Sequence, residues 1–389
     1  MKDFKIGVAG SGAMGSGIAQ VAATYGNAVV LFDVNTEALR KAEESIIGSL
    51  VKLASKQKIT DDEVASISKR ITYATSLNDF SNADLIIEAI VENIDIKQKL
   101  FKDLESIVSE KCILASNTSS LSVTSIAGAC SKPERVIGIH FFNPAQLMPL
   151  VEIIPGLQTI ESTTKCAEEI ITCWGKITVL AKDTPGFIVN RIARPFYGEA
   201  LRIFEEQIAD IATIDSAMKL KGGFKMGPFE LMDMIGNDIN YAVTETVWKQ
   251  MYYDARYRPS LTQKRMTEAG LFGKKSGKGY YEYTDGTSIA HGTPDESKSV
   301  YIFNRILCML INEAADAVYY GIASRDDIDL AMTKGVNYPK GLLKWCDEIG
   351  VEVVLKSLND LYELYAEDRY RPSVLLKKMA KEKTTFYNG

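Results

Sequence analysis

The chain has 389 residues, 46% hydrophobic and 24% charged, with a formal net charge of −5 at pH 7. That length predicts two or three domains of ordinary globular composition, and the acidic balance argues against a nucleic-acid partner. No apolar run reaches membrane-spanning length, so no membrane association is expected, and the start MKDFKIGVAGSG leaves no room for a signal peptide. Six scattered cysteines without a CxxC pair, and only two histidines, argue against structural zinc or a disulfide framework. A cytoplasmic location is expected.

FKIGVAGSGAMGSGIAQVAATYG reads as strand, glycine turn and helix. Gly10, Gly12 and Gly15 satisfy G-x-G-x-x-G, with Ala13 and Met14 inside the turn, and a second strand, AVVLFD, ends in Asp33. Asp33 lies 18 residues after Gly15, the spacing at which a carboxylate accepts adenosine ribose hydroxyls. The helix N-terminus favours a pyrophosphate. The carboxylate would repel a 2′-phosphate and no arginine follows it, so NAD is expected over NADP. The alternative is a glycine turn that binds no nucleotide.

A helical run over 36–58 carries Ser49, Lys52 and Lys56 on one face. By spacing alone this is a solvated basic face rather than an anion site. DLIIEAIVEN reads as a strand ending in Glu88, Glu92 and Asn93. A helix containing Lys97 follows, then the strand KCILASNTSS with Ser119. The alternation predicts a doubly wound parallel sheet with ligands beyond the carboxyl ends of the strands. Glu92, Lys97, Ser119 and His140 all fall at or after such ends.

In GIHFFNPAQLMPLVEIIPG, over 138–156, the apolar flanks of His140 and Glu152 read as two strands, and the prolines between them as a returning loop. His140 and Glu152 could then meet across neighbouring strands, the glutamate fixing the imidazole tautomer of a general base. The competing reading is a half-buried histidine beside an unrelated glutamate.

From KDTPGFIVNRIARPF onward the periodicity is helical, which places a domain boundary near Asp183. FIVNRI (187–192) recurs as YIFNRI (301–306), and IDSAM (214–218) as IDLAM (328–332), both at an offset of 114. RYRPS (256–260) recurs at an offset of 113, so two copies of one helical domain are expected, packed as a pseudo-dimer. The first copy has a tail, LFGKKSGKGYYEY, that the second is expected to lack. A polar linker over 284–299 holds His291, which leaves His140 as the imidazole catalyst.

GSGAMGSGIAQ, EAIVENIDIKQKLF, ASNTSSLSVTSIA, GIHFFNPAQLMPLVEII, KDTPGFIVNRI, MGPFELMD and FGKKSGKGYYEY together resemble the 3-hydroxyacyl-CoA dehydrogenase family, including its 3-hydroxybutyryl-CoA dehydrogenases. The resemblance implies an α/β Rossmann-type NAD-binding domain over 1–183, then a duplicated all-α domain, first copy 184–284 and second copy 298–389. It implies an acyl-CoA substrate of fatty-acid β-oxidation or short-chain metabolism, with His140 taking the 3-hydroxyl proton while paired to Glu152. Ser119 would lie near both the nicotinamide and the substrate oxygen, and Asn190 would position the substrate. Asn143 would face the cofactor, Asp33 the adenosine ribose, and Glu92, Lys97 and Lys275 would lie along it. Ser49 and Lys56 look like the family's coenzyme A contacts, which reverses the reading from spacing. Simpler members dimerise through one helical domain; here either a homodimer or a pseudo-dimeric monomer is expected. Larger relatives add an N-terminal hydratase domain, and no hydratase activity is expected of a chain starting at the glycine loop. Two other readings remain: a dehydrogenase for a substituted substrate such as 3-hydroxyadipyl-CoA, favoured by an unpaired basic group in the acyl pocket, and a non-catalytic NAD-binding structural protein.

Overall fold

Eight short apolar runs form one sheet in the first of two compact units, Met1–Thr184 and Pro185–Gly389, of a computed structural model. The structure describes residues 4–283, 292 and 295–387, so His291 and most of the polar stretch around it lie outside the described residues. The strands are β1 (Lys5–Ala9), β2 (Ala28–Phe32), β3 (Ile71–Ala74), β4 (Leu85–Glu88), β5 (Ile113–Ser116), β6 (Val136–Phe141), β7 (Leu150–Pro155) and β8 (Ile177–Leu180). Their spatial order is β3-β2-β1-β4-β5-β6-β7-β8. The helices are α1 (Ala13–Thr24), α2 (Thr36–Ser55), α3 (Asp61–Lys69), α4 (Ile94–Ile107), α5 (Val123–Ala127) and α6 (Glu161–Cys173).

Alternate strand residues enter two cores. Leu85 and Ile87 join Ile6, Val8, Ile139 and Ile153 on one face, while Ile86 joins Leu114, Phe101 and Ile126 on the other. Burial on both faces explains why these strands read as continuous apolar runs. The sheet is not wholly parallel, as its sequence pattern suggested: β7 runs antiparallel to β6. The eight-residue connection between them carries no crossover helix, and a parallel return would need one.

The second unit is helical. Its elements are α7 (Val189–Ile192), α8 (Arg194–Glu205), α9 (Ile211–Gly222), α10 (Pro228–Ile235), α11 (Asn237–Gln250), α12 (Leu261–Glu268), α13 (Glu296–Tyr319), α14 (Arg325–Gly335), α15 (Leu342–Ile349), α16 (Val351–Tyr365) and α17 (Val374–Glu382). Helices α9, α10 and α11 recur as α14, α15 and α16 with starts 114 residues on, and α12 recurs as α17 at 113. α13 is the counterpart of α7 and α8 joined. Pro195, which cannot donate a backbone hydrogen bond, follows the break in the first copy; Met309 stands at that place in the second.

The copies exchange buried ion pairs reciprocally. Arg191 Nε meets Glu313 at 2.6 Å, and its counterpart Arg305 meets Glu199, the counterpart of Glu313, at 3.1 Å. Tyr257 donates to Glu313 at 2.5 Å and Tyr370 to Glu199 at 2.8 Å. Arg371 pairs with Asp254 as Arg258 does, at 3.8 Å, with Glu367. Contacts of residue i with j and of j with i mark an isologous, two-fold arrangement. Burial pushes the Glu313 carboxyl up, but Arg191 and Arg256 more than offset it and hold it below its usual value.

The expectation that the second copy lacks the tail is corrected. Asp233 accepts from Tyr280 N and Tyr281 N, and its counterpart Asp347 accepts from Phe386 N and Tyr387 N. Phe386-Tyr387 therefore take the place of Tyr280-Tyr281. What the second copy has lost is the intervening turn that carries Lys275.

Candidate active site

The glycine turn joins β1 to α1 where the strand order reverses. Gly10 has φ +104°, and a Cβ there would meet the Ala89 carbonyl at 2.6 Å. A Cβ on Gly15 would lie 1.8 Å from the Gly10 carbonyl oxygen, so only glycine lets α1 pack this close. A Cβ on Gly12 would meet nothing within 4 Å. The N-terminus of α1 has no side-chain cap, which leaves the amides of its first turn, Ala13 to Gly15, to an anion. A pyrophosphate fits this cradle. Asp33 Oδ2 accepts from Ser11 N at 2.9 Å and Ser11 Oγ at 2.8 Å, and Oδ1 from Asn35 N at 3.0 Å. A carboxylate has about four acceptor sites, so Oδ1 keeps capacity for a ribose hydroxyl.

Beyond β4 and β5 the polar groups form a chain. Buried Lys97 donates to Glu88 at 2.7 Å and reaches Glu92 at 3.0 Å. Ser116 Oγ donates to the other Glu88 oxygen at 2.6 Å. Glu92 Oε1 accepts from Thr118 Oγ1 at 2.5 Å, Ser119 N at 3.0 Å, and Ser120 N at 3.2 Å. Burial pushes the Glu92 carboxyl up, but Lys97 and the Thr118 and Ser119 donors more than offset it and hold it below its usual value. Glu92 and Lys97 thus fix the backbone that presents Ser119. Glu88 and Thr118 belong to this chain but were missed as site residues; the only sequence signal was Glu88 ending an apolar run.

His140 and Glu152 are direct partners in the antiparallel register of β6 and β7. Directly opposite side chains share a face, and His140 Nδ1 lies 2.7 Å from Glu152 Oε2. The histidine is 5% exposed and the glutamate 0%. A carboxylate only accepts, so Nδ1 carries the proton and donates it, leaving the lone pair on Nε2. The Phe142 ring packs 4.6 Å from the imidazole, and Phe141 N donates to Asn117 Oδ1 at 2.8 Å, which ties β6 to the loop holding Ser119.

Asn143 is exposed in the loop after β6. Lys176 supports that loop from inside, donating to the Ala145 and Met148 carbonyls at 2.6 and 2.8 Å; no sequence pattern marks this role. Ser49, half-buried, accepts from Gln20 Nε2 at 3.2 Å, and exposed Lys56 caps α2. In the helical unit, half-buried Asn190 lies on α7, and its carbonyl accepts from Arg194 Nε at 2.8 Å. Lys275 Nζ donates to Asp238 at 2.6 Å. No helix among the described residues is long and apolar enough to cross a membrane.

Comparison with known proteins identifies these two units. The NAD-binding domain of 3-hydroxyacyl-CoA dehydrogenases matches residues 5–184. The C-terminal domain of the same family matches 186–283 and again 301–385. The chain is 36% identical to 3-hydroxyadipyl-CoA dehydrogenase of Escherichia coli K12, over 96% of this chain and 97% of that one. It is 46% identical to a probable 3-hydroxybutyryl-CoA dehydrogenase of Deinococcus radiodurans, over 72% of this chain and all of the relative. A crystal structure of 3-hydroxybutyryl-CoA dehydrogenase from Escherichia coli K12 superposes with TM-score 0.92 at 34% identity, covering 98% of this chain and 99% of that one. The chain belongs to the 3-hydroxyacyl-CoA dehydrogenase family and is an NAD-dependent oxidoreductase.

Proposed function

We propose that the chain oxidises (S)-3-hydroxyacyl-CoA to 3-oxoacyl-CoA and runs the reverse, with His140 as the proton acceptor. The observation that carries this reading is the buried 2.7 Å contact between His140 Nδ1 and Glu152. NAD, when bound, accepts the hydride that leaves substrate C3. His140 Nε2 takes the 3-hydroxyl proton, and the imidazolium so formed is stabilised by Glu152 through a charge-assisted hydrogen bond. A base positioned in this way contributes about 100- to 10,000-fold. Ser119, fixed by Glu92, contacts the substrate oxygen, and Asn190 positions the acyl chain. In the reverse direction the imidazolium returns its proton to the ketone oxygen.

For the cofactor, the Gly10, Gly12 and Gly15 turn and the free amides of α1 hold the pyrophosphate, and Asp33 the ribose. Asn143 and Lys275 contribute further contacts, and Ser49 and Lys56 meet coenzyme A. The reciprocal pairs Arg191–Glu313 and Arg305–Glu199 support a pseudo-dimeric monomer, the second helical copy standing where a partner chain would. The test of the reading is consumption of NADH, but not NADPH, with acetoacetyl-CoA. Turnover that favours NADPH would overturn the assignment of Asp33.

A further inference from the structure

The polar groups beyond β4 and β5, all in the first unit, are well hydrogen-bonded, but their charges do not balance. Glu88 is buried; its Oε1 accepts from Lys97 Nζ and Ile90 N, both at 2.7 Å, and its Oε2 from Ser116 Oγ at 2.6 Å. Glu92 takes the other side of the same ammonium at 3.0 Å. Lys97 is the only cation within ion-pair distance of either carboxylate among the described residues. Two carboxylates thus share one ammonium, and the cluster keeps one uncompensated negative charge where solvent screens it only in part.

The hydrogen bonds do not require that charge. Glu92 Oε1 receives Thr118 Oγ1, Ser119 N and Ser120 N, and a neutral amide oxygen accepts from the same donors. The Glu88–Lys97 pair would be neutral by itself, and a further carboxylate without a matching cation costs stability. The excess charge also has a direction. The Glu92 side chain is 36% exposed against 0% for Glu88, and it stands one hydrogen bond from Ser119. The reaction shifts a positive charge: the nicotinamide ring loses its charge as hydride arrives from C3, and His140 gains one with the 3-hydroxyl proton. Glu152 answers the charge on His140. The nicotinamide end of the shift needs an anion of its own.

We propose that Glu88, Lys97 and Glu92 act together as the counter-ion of the oxidised nicotinamide, and that their excess negative charge raises the affinity for NAD+ relative to NADH. This rests on the reading that Ser119 lies near the nicotinamide. The two cofactor forms share a shape and differ by one positive charge on the ring, so a fixed anion beside it discriminates between them where steric fit does not. Glu88 contributes through its charge alone, since it is buried behind Lys97.

The experiment measures dissociation constants for NADH, from its fluorescence on binding, and for NAD+, by displacement of NADH. The proteins compared are wild type, Glu92→Gln, Glu92→Asp and Glu88→Gln. Removing one charge at about 10 Å in a partly screened site changes the affinity for a cation by about five- to tenfold. Glu92→Gln and Glu88→Gln are each expected to weaken NAD+ by that factor while NADH changes by less than about twofold, and Glu92→Asp keeps most of the wild-type ratio. A shifted ratio in Glu88→Gln reports charge rather than a lost contact. Equal weakening of both forms in Glu92→Gln overturns the proposal and marks the cluster as a scaffold for the Ser119 loop. Unchanged NAD+ affinity in that variant overturns it too, and either result decides the matter even if Glu88→Gln fails to fold. A wild type that binds neither form sinks the nucleotide reading on which the proposal rests.

Discussion

Replacing Glu152 by glutamine changes one buried charge and almost no volume. The amide oxygen can still accept from His140 Nδ1, so the ring keeps its orientation between β6 and β7. What disappears is the charge that stabilises the imidazolium once His140 has taken the substrate proton. Both side chains are buried, 5% and 0% exposed, and the contact is 2.7 Å, so solvent screens it little. A hydrogen bond to a charged group contributes about 1.5–3 kcal/mol and a neutral one about 1. The difference is about 0.5–2 kcal/mol, and burial of this pair puts it toward the upper end, which corresponds to a fall in kcat of up to about 30-fold. Steady-state oxidation of 3-hydroxybutyryl-CoA, followed by NADH absorbance, measures kcat and KM, and thermal unfolding checks the fold. The expected result is a loss in kcat with KM for NAD and a melting temperature close to wild type. A kcat within about threefold of wild type would refute the argument, because Glu152 would then contribute nothing to the protonated ring.

Two glycines in one turn are expected to fail differently. Gly15→Ala places a Cβ 1.8 Å from the Gly10 carbonyl and should cost about 3 kcal/mol or more of stability by thermal unfolding. Gly12→Ala meets nothing within 4 Å, so it should melt like wild type while the KM for NAD rises about tenfold or more. Glu92 has a carboxyl held below its ordinary value of 4.5, so its stabilising contribution is complete above about pH 4.5 and is lost as pH falls below that, through the lowered folded value. Wild type should exceed Glu92→Gln in stability by about 1 kcal/mol near neutrality, the gain being reduced by partial solvent exposure, and the gap should close in acid. A gap that widens in acid would contradict this sign. Sedimentation should give the mass of one chain; a two-chain species would mean that the second helical copy does not replace a partner.

What was legible in the sequence was local or carried by register. The Gly10–Gly15 turn is set by sterics within a few residues. The His140–Glu152 meeting follows from two apolar flanks and a loop too short for a crossover. The chain from Glu88 through Lys97 to Glu92 was less legible, because it depends on how the loop after β4 folds over the start of α4. Lys97 and Glu92 were expected along the cofactor; within the protein they contact each other, Glu88, Thr118 and the Ser119 and Ser120 backbone. The second tail was hidden by a deletion that shifts the repeat, and it became visible only through the parallel roles of Asp233 and Asp347.

The central claim is that His140 is the proton acceptor, and the most direct measurement is the single-turnover rate of NADH oxidation with acetoacetyl-CoA in His140→Ala, alongside its affinity for NADH. The account predicts a rate about 100- to 10,000-fold below wild type with NADH affinity retained. A variant that binds NADH and turns over within about tenfold of wild type would assign the proton to another group and contradict the account.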